Sequence, residues 1–199
     1  VDWGKYETGI EYYMNAIALL DSITDTGLLS VRYNNLGMAY QLKGDHREAI
    51  FWFKKALQIE EQYGKSLRLA VRYNNLANSY MALNELETTL EYFEKAKNLF
   101  MPSGQWQQIS KILGNIGVLY QKTGKLGEAE IAFINSVEYA QKAQLMPELS
   151  IAYERLYLYY KTVQQAEKAL HFHELYVETK DSIFNIQVSE QVEQMEALY

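Results

Sequence analysis

Apolar side chains fall at helical spacing along this chain, and the pattern itself recurs every forty residues. Tyr6, Ile10, Tyr13, Ile17 and Leu20 lie three or four apart, an apolar stripe that predicts one helix over 1–24. The octapeptide Tyr73-Asn74-Asn75-Leu76-Ala77-Asn78-Ser79-Tyr80 has counterparts one period to either side, beginning at Tyr33 and Leu113, and a fourth beginning at Tyr153. All four close on a tyrosine: Tyr40, Tyr80, Tyr120 and Tyr160. Nine residues past each tyrosine stands a small side chain, Ala49, Thr89, Ala129 or Ala169. Four further on stands a ring, Phe53, Phe93, Phe133 or His173, and three later Ala56, Ala96 or Ser136 in the first three copies. A fixed period of this size marks a stack of helix pairs, each burying its apolar face on the next.

The period divides the chain into a leading half-unit at 1–25, units at 28–62, 66–101, 105–143 and 147–180, and a last helix at 181–199, all in one array. The predicted pairs are 28–42 with 46–62, 66–82 with 85–100, 105–122 with 126–143, and 147–161 with 165–180. The first helix of each pair is helix A, the second helix B. Gly44 followed by Asp45 suits a helix stop that needs φ > 0 and then an N-cap, and Asn84 and Gly124 take Gly44's place in the next two units. Gly37, Ala77 and Gly117 on the A helices, with Ala49, Thr89 and Ala129 on the B helices, predict close helix approach. The fourth unit departs from these rules: Tyr157, His173, Tyr176 and Gln164 stand where small, phenyl, small and glycine residues are due. A terminal unit is expected to be atypical, here with a wider helix separation filled by tyrosine rings.

The two ends carry their own expectations. Gly4, Tyr13 and Ala16 align with Gly44, Phe53 and Ala56, so 1–24 reads as a helix B without its helix A. The expectation is a piece cut from a longer protein, with a natural cap as the alternative. Val188, Val192, Met195 and Tyr199 form a short heptad seam, fewer heptads than a coiled coil needs. The tail is read either as a cap packed on the fourth unit or as the start of a longer helix. Open ends of this kind predict self-association, with Tyr6, Ile10, Val188, Val192 and Met195 as contacts.

The order aromatic-x2-Leu-Gly-x2-Tyr, then Ala-x3-Phe-x2-Ala, resembles the tetratricopeptide repeat (TPR) over nearly the whole chain. The usual TPR period is about 34 residues. The extra residues here lie between one unit's helix B and the next helix A, which resembles the longer repeats of kinesin light chains and the LGN/Pins polarity adaptors. The resemblance implies an all-α fold, a right-handed TPR superhelix of antiparallel helix pairs.

Composition narrows the function. There are no cysteines, which removes disulfides, thiol catalysis and cysteine-ligated metals and fits either cytoplasm or periplasm. A net charge of -6 argues against a nucleic-acid backbone as partner. No run of about 18 apolar residues predicts membrane insertion in this segment, and no basic, apolar leader opens it. Only two prolines favour a nearly all-helical chain.

Candidate chemistry is sparse. His171 and His173 are two apart on a helix and point in different directions, so they do not share a metal; His173 is read as standing in for a core phenylalanine and His46 as solvated. Glu60, Glu61, Glu85 and Glu87 are read as charge on exposed faces. No catalytic constellation, metal site or cofactor cradle is found, so no enzyme and no cofactor are expected. What remains is the line of A helices. The third residue of each octapeptide is Asn35, Asn75, Asn115 or Arg155, and in TPR peptide receptors this position faces the concave groove and contacts ligand. Asparagine offers both a donor and an acceptor, so a ladder of asparagines pairs with the backbone of an extended peptide. Asn34, Asn74 and Asn78 flank the ladder, and Lys111 and Arg155 add positive charge that can meet a carboxylate. The competing reading is that these asparagines hydrogen-bond to neighbouring helices and serve packing.

The stretch 178–185 with its helical tail resembles the segment ending the TPR array of many bacterial sensor proteins. That resemblance implies the sensory or regulatory part of a larger bacterial signalling protein; the compartment stays open, with a periplasmic region favoured over a cytoplasmic one. The expected function is a non-enzymatic module that binds a protein or peptide segment in its groove. The alternative is a structural scaffold that self-associates through its exposed ends.

Overall fold

The computed structural model describes residues 3–20, 26–62 and 67–197. The side chains of Tyr6 and Leu20, and all of Tyr199, lie outside the described residues. Among the described residues there are nine α-helices, packed as sequential antiparallel pairs in a TPR-like solenoid. They fall into two compact units, Val1–Ser103 and Gly104–Tyr199.

The first unit contains α1 (Trp3–Leu20), α2 (Thr26–Lys43), α3 (His46–Gln62), α4 (Leu67–Ala82) and α5 (Leu86–Phe100), closed by a 3-10 turn at Met101–Ser103. The second contains α6 (Trp106–Lys122), α7 (Leu126–Ala143), α8 (Met146–Thr162) and α9 (Ala166–Glu196). The even-numbered helices are the A helices. The repeat's rings form the core: Phe53 and Phe93 have no exposed surface and Phe133 is 1% exposed. Leu36 and Leu76 are equally buried.

The small residues have a steric cause. A Cβ on Gly37 would lie 2.6 Å from the Phe53 ring, and one on Gly117 would lie 2.6 Å from Phe133. Both glycines are therefore seats for the phenyl of the paired helix. A serine contact locks the same pairs a few turns away. The Ser30 hydroxyl donates to the Ala56 carbonyl at 3.3 Å, and Ser110 and Ser136 donate to each other's carbonyls at 2.8 Å.

The A-to-B turns keep the period in their backbone: φ is +88° at Gly44, +61° at Asn84, +75° at Gly124 and +58° at Gln164. Gln164 thus holds the left-handed conformation without glycine's freedom, at a cost of roughly 1–2 kcal/mol. Asp45 caps α3, its carboxylate accepting the Glu48 N–H at 3.3 Å.

Four expectations change. Glu60 is not on an exposed face: it is 4% exposed and accepts the Ser30 hydroxyl at 2.7 Å and the Arg72 guanidinium at 3.5 Å. Its partner comes from α4, so the pattern along α3 alone cannot show it. Glu61, Glu85 and Glu87 are exposed. His46 is half-buried rather than solvated, with Nδ1 buried and lacking a hydrogen-bond partner. His173 is only partly buried, against the Tyr157 ring at 4.8 Å. Its neighbour Phe172 supplies the core ring, stacked on Tyr160 at 5.5 Å.

The fourth change is at the C-terminus. No separate helix begins at 181, because α9 runs unbroken from Ala166 to Glu196. Nothing between those residues is glycine, proline or left-handed, so nothing stops the helix. At 31 residues it far outreaches the 17 of its antiparallel partner α8, and every residue from 184 to 197 is exposed. The tail is therefore not packed as a cap.

Candidate functional site

In the first unit the A helices α2 and α4 lie side by side, because each turns its leucine, Leu36 or Leu76, inward and leaves the polar positions of the octapeptide together on the flank. The Asn75 amide donates to Asn34 Oδ1 at 2.9 Å. Asn34 is 6% exposed, and its own amide donates to Met38 Sδ at 3.3 Å. One turn on, Gln41 donates to Ser79 Oγ at 2.9 Å and to the Asn75 carbonyl at 3.4 Å. Asn35 and Asn74 are half-buried, with no side-chain hydrogen bond among the described residues. Asn78 is half-buried and engaged.

The second unit repeats the relation between α6 and α8 with different chemistry. Arg155 Nη2 donates to Asn115 Oδ1 at 2.9 Å. The guanidinium lies over Gly114, where a Cβ would come 1.7 Å from Nη1, so the missing side chain is the space the arginine fills. Burial lowers the Arg155 pKa, and Glu154 opposes this; the group stays cationic. Lys111 pairs with Glu148 at 3.2 Å, and Gln107 donates to the same carboxylate at 2.5 Å. Burial works to raise the Glu148 pKa, but the hydrogen bonds from Gln107 and Lys111 prevail and hold it low.

Of the residues proposed from sequence, the structure brings Asn34 to Asn75 and Arg155 to Asn115, and turns Lys111 onto Glu148. Sequence reasoning missed Gln41, Gln107 and Glu148. It also missed a pocket of about 610 Å³ in the first unit, lined by Leu69 and Tyr73 of α4, Lys95 and Leu99 of α5, and Pro102. A signal for its wall was present. A ring follows each octapeptide's opening tyrosine by nineteen residues, as Tyr33 with Trp52, Tyr73 with Tyr92 and Tyr153 with Phe172, and the structure brings each pair within 6.2 Å in a tilted arrangement. Lys55 and Lys95 then lie over the first two pairs.

Among the described residues no group of three His, Asp or Glu side chains could hold a metal ion, and no helix is long and apolar enough to cross a membrane. The arrangement offers amides, the half-buried Arg155 guanidinium and aromatic faces, groups that can pair with a polar backbone.

The tetratricopeptide repeat family model matches residues 4–62 and 68–142, more than half of the chain, and the protein belongs to that family. TPR domains in general bind proteins and peptides. No curated protein matches the chain. Among solved structures, BtubC (BKLC) from P. vanneervenii is similar at 22% identity and a TM-score of 0.81, over 90% of this chain and 75% of that one. Aspartyl phosphate phosphatase F from Bacillus subtilis is similar at 17% identity and a TM-score of 0.82, over 89% of this chain and 46% of that one. A signal transduction ATPase with a tetratricopeptide repeat sensor from Pyrococcus horikoshii is similar at 19% identity and a TM-score of 0.76, over 93% of this chain and 29% of that one. At these identities the likeness establishes the fold.

Proposed function

We propose that this TPR protein is a non-enzymatic module that holds an extended protein or peptide segment along its A helices, as the sensory or regulatory part of a larger bacterial signalling protein. The observation that carries the reading is the recurrence of oriented amides at one register position. Asn75 spends one N–H on Asn34 and keeps its carbonyl oxygen, while Asn35 and Asn74 beside it have no side-chain partner among the described residues. Amides already held in place lose little entropy on meeting a peptide backbone. In the second unit Arg155, fixed on Asn115, retains guanidinium donors for a carboxylate or carbonyl on the segment. The regulatory assignment draws on neighbours described as a phosphatase and a signalling ATPase with a TPR sensor, and on the tail's resemblance to sensor proteins.

The experiment is a peptide-display selection on the whole chain, followed by calorimetry of the selected peptides on wild type and on Asn74→Ala. Asn74 is the informative position because its removal breaks no side-chain bond among the described residues. Loss of about 1–3 kcal/mol of affinity with an unchanged melting temperature supports the reading. Peptides that bind Asn74→Ala, Asn35→Ala and Arg155→Ala as tightly as wild type sink it.

A second reading rests on the same bonds. Asn34 with Asn75, Gln41 with Ser79, and Arg155 with Asn115 all tie one A helix to the next. If these amides serve packing alone, the chain is a scaffold whose contacts lie at its ends.

A further inference from the structure

The long helix α9 carries an exposed stripe that nothing among the described residues covers. Leu170, Val177, Phe184, Val188 and Met195 are 39% to 64% exposed. Their spacing of seven, seven, four and seven residues keeps them on one helical face. Carboxylates stand within the same stripe: Glu174 is four residues after Leu170, Asp181 four after Val177, and Glu178 is one turn on from Glu174. All three are exposed, and none has an ion-pair partner among the described residues.

The repeat indicates what such a face receives. Three periods earlier, Ile50 and Leu57 of α3 occupy the positions of Leu170 and Val177. They are 9% and 7% exposed, covered by Leu69, Leu76 and Tyr80 of α4. This face of a helix B is where another helix lies lengthwise. Among the described residues this face is open on α9, and α9 is longer than any other helix B.

Charge decides among the occupants. A second copy laid parallel would set Glu174 against Glu174 and Asp181 against Asp181 inside the seam. An antiparallel copy would press those carboxylates toward the apolar end bearing Val188 and Met195. Either arrangement desolvates the carboxylates Glu174 and Asp181 with a single cation on that face, Lys180, three residues after Val177, to offset them. An anionic lipid surface is repelled, since 181–199 carries Asp181, Glu190, Glu193 and Glu196 and no basic residue. We infer that the exposed face of α9 docks an amphipathic helix of a partner protein whose apolar seam is interleaved with lysine or arginine opposite Glu174 and Asp181. This surface is distinct from the A-helix flanks proposed to hold an extended segment, and its charge sets partner choice more than tightness.

The test uses the whole chain and two synthetic helical peptides of about three heptads. They share leucines at the seam and differ only in carrying lysine or glutamate opposite Glu174 and Asp181. Fluorescence anisotropy should show the lysine peptide binding about tenfold or more tightly than the glutamate peptide, with the difference shrinking as salt rises. The double variant Glu174→Lys/Asp181→Lys should reverse the preference, and Phe184→Glu should abolish binding of both. Circular dichroism checks that each variant keeps its helix, as exposed positions should. Asn74→Ala should leave both peptides unaffected, which keeps this site separate from the A-helix reading. Equal affinity for the two peptides, or no binding of either, overturns the inference. So does a dimer of the chain alone in sedimentation that Phe184→Glu dissolves, because a second copy would then be the occupant.

Discussion

Asn75 and Asn34 are joined by a 2.9 Å amide-to-carbonyl hydrogen bond that crosses from one A helix to the next. Asparagines that look like one ladder along the sequence therefore include a bonded pair, and the two functional readings make different demands on them. Asn75→Ala leaves Asn34, 6% exposed, without that donor. It should lower stability by about 1 kcal/mol, read as a lower urea midpoint at unchanged m-value, whereas Asn74→Ala should leave the midpoint where it is.

The buried rings carry the array. Phe93 has no exposed surface and fills the seat between its helix pair, so Phe93→Ala should cost about 3–5 kcal/mol. Gly117→Ala places a methyl 2.6 Å from the Phe133 ring and should cost about 1–3 kcal/mol by overpacking. Denaturant unfolding measures both, and a loss below about 0.5 kcal/mol at either site contradicts the packing described.

Glu60 and Arg72 form a buried pair, each 4% exposed, where the corresponding positions of the second unit are the buried Ala140 and Ala152. The fold thus tolerates an apolar solution at this junction. Removing one partner, as in Arg72→Met, should cost about 3 kcal/mol, because the buried Glu60 then keeps only the Ser30 hydroxyl at 2.7 Å and the more exposed Arg68 guanidinium at 3.9 Å. Glu60→Ala with Arg72→Ala should be less damaging than the sum of the singles. A double-mutant cycle by urea unfolding gives the coupling, and strict additivity would mean the two do not interact.

Acid should weaken the second unit through two carboxylates. Glu130 is held below the ordinary carboxylate range by hydrogen bonds from the Tyr160 hydroxyl at 2.7 Å and Lys168 at 3.1 Å. Glu148 is held low by Gln107 and Lys111 against the effect of burial. A folded-state value below the unfolded one gives stability that is present above the unfolded value and lost as pH falls through the folded one. Urea midpoints should therefore drop on going from about pH 6 to about pH 3, and Glu130→Gln should flatten that limb. At the other end, burial and Glu130 push the Tyr160 phenol up. Its contribution is present below the ordinary tyrosine value and lost as pH rises through the folded one, so Tyr160→Phe should flatten the alkaline limb.

Much of the fold was legible in the order of residues. The forty-residue period located every helix pair, and two helices, α3 and α7, begin and end where the pattern places them. The inward leucines and phenylalanines followed from the same spacing. These are properties of a single helix face, and the 3.6-residue turn writes them directly into the chain. The limits appear wherever a side chain's fate depends on a residue about thirty or forty positions away. Glu60 looked like surface charge until α4 brought Arg72 beside it. Lys111 looked free for a ligand until α8 brought Glu148 within 3.2 Å. The tail looked like a separate helix because its pattern changed after 180, yet the backbone met no residue that breaks a helix and continued. Periodicity reports which side of a helix turns inward. Which polar group then meets which, and which face of α9 is left open, is settled only when the helices pack and burial forces each charge and amide to find a partner or stay in water.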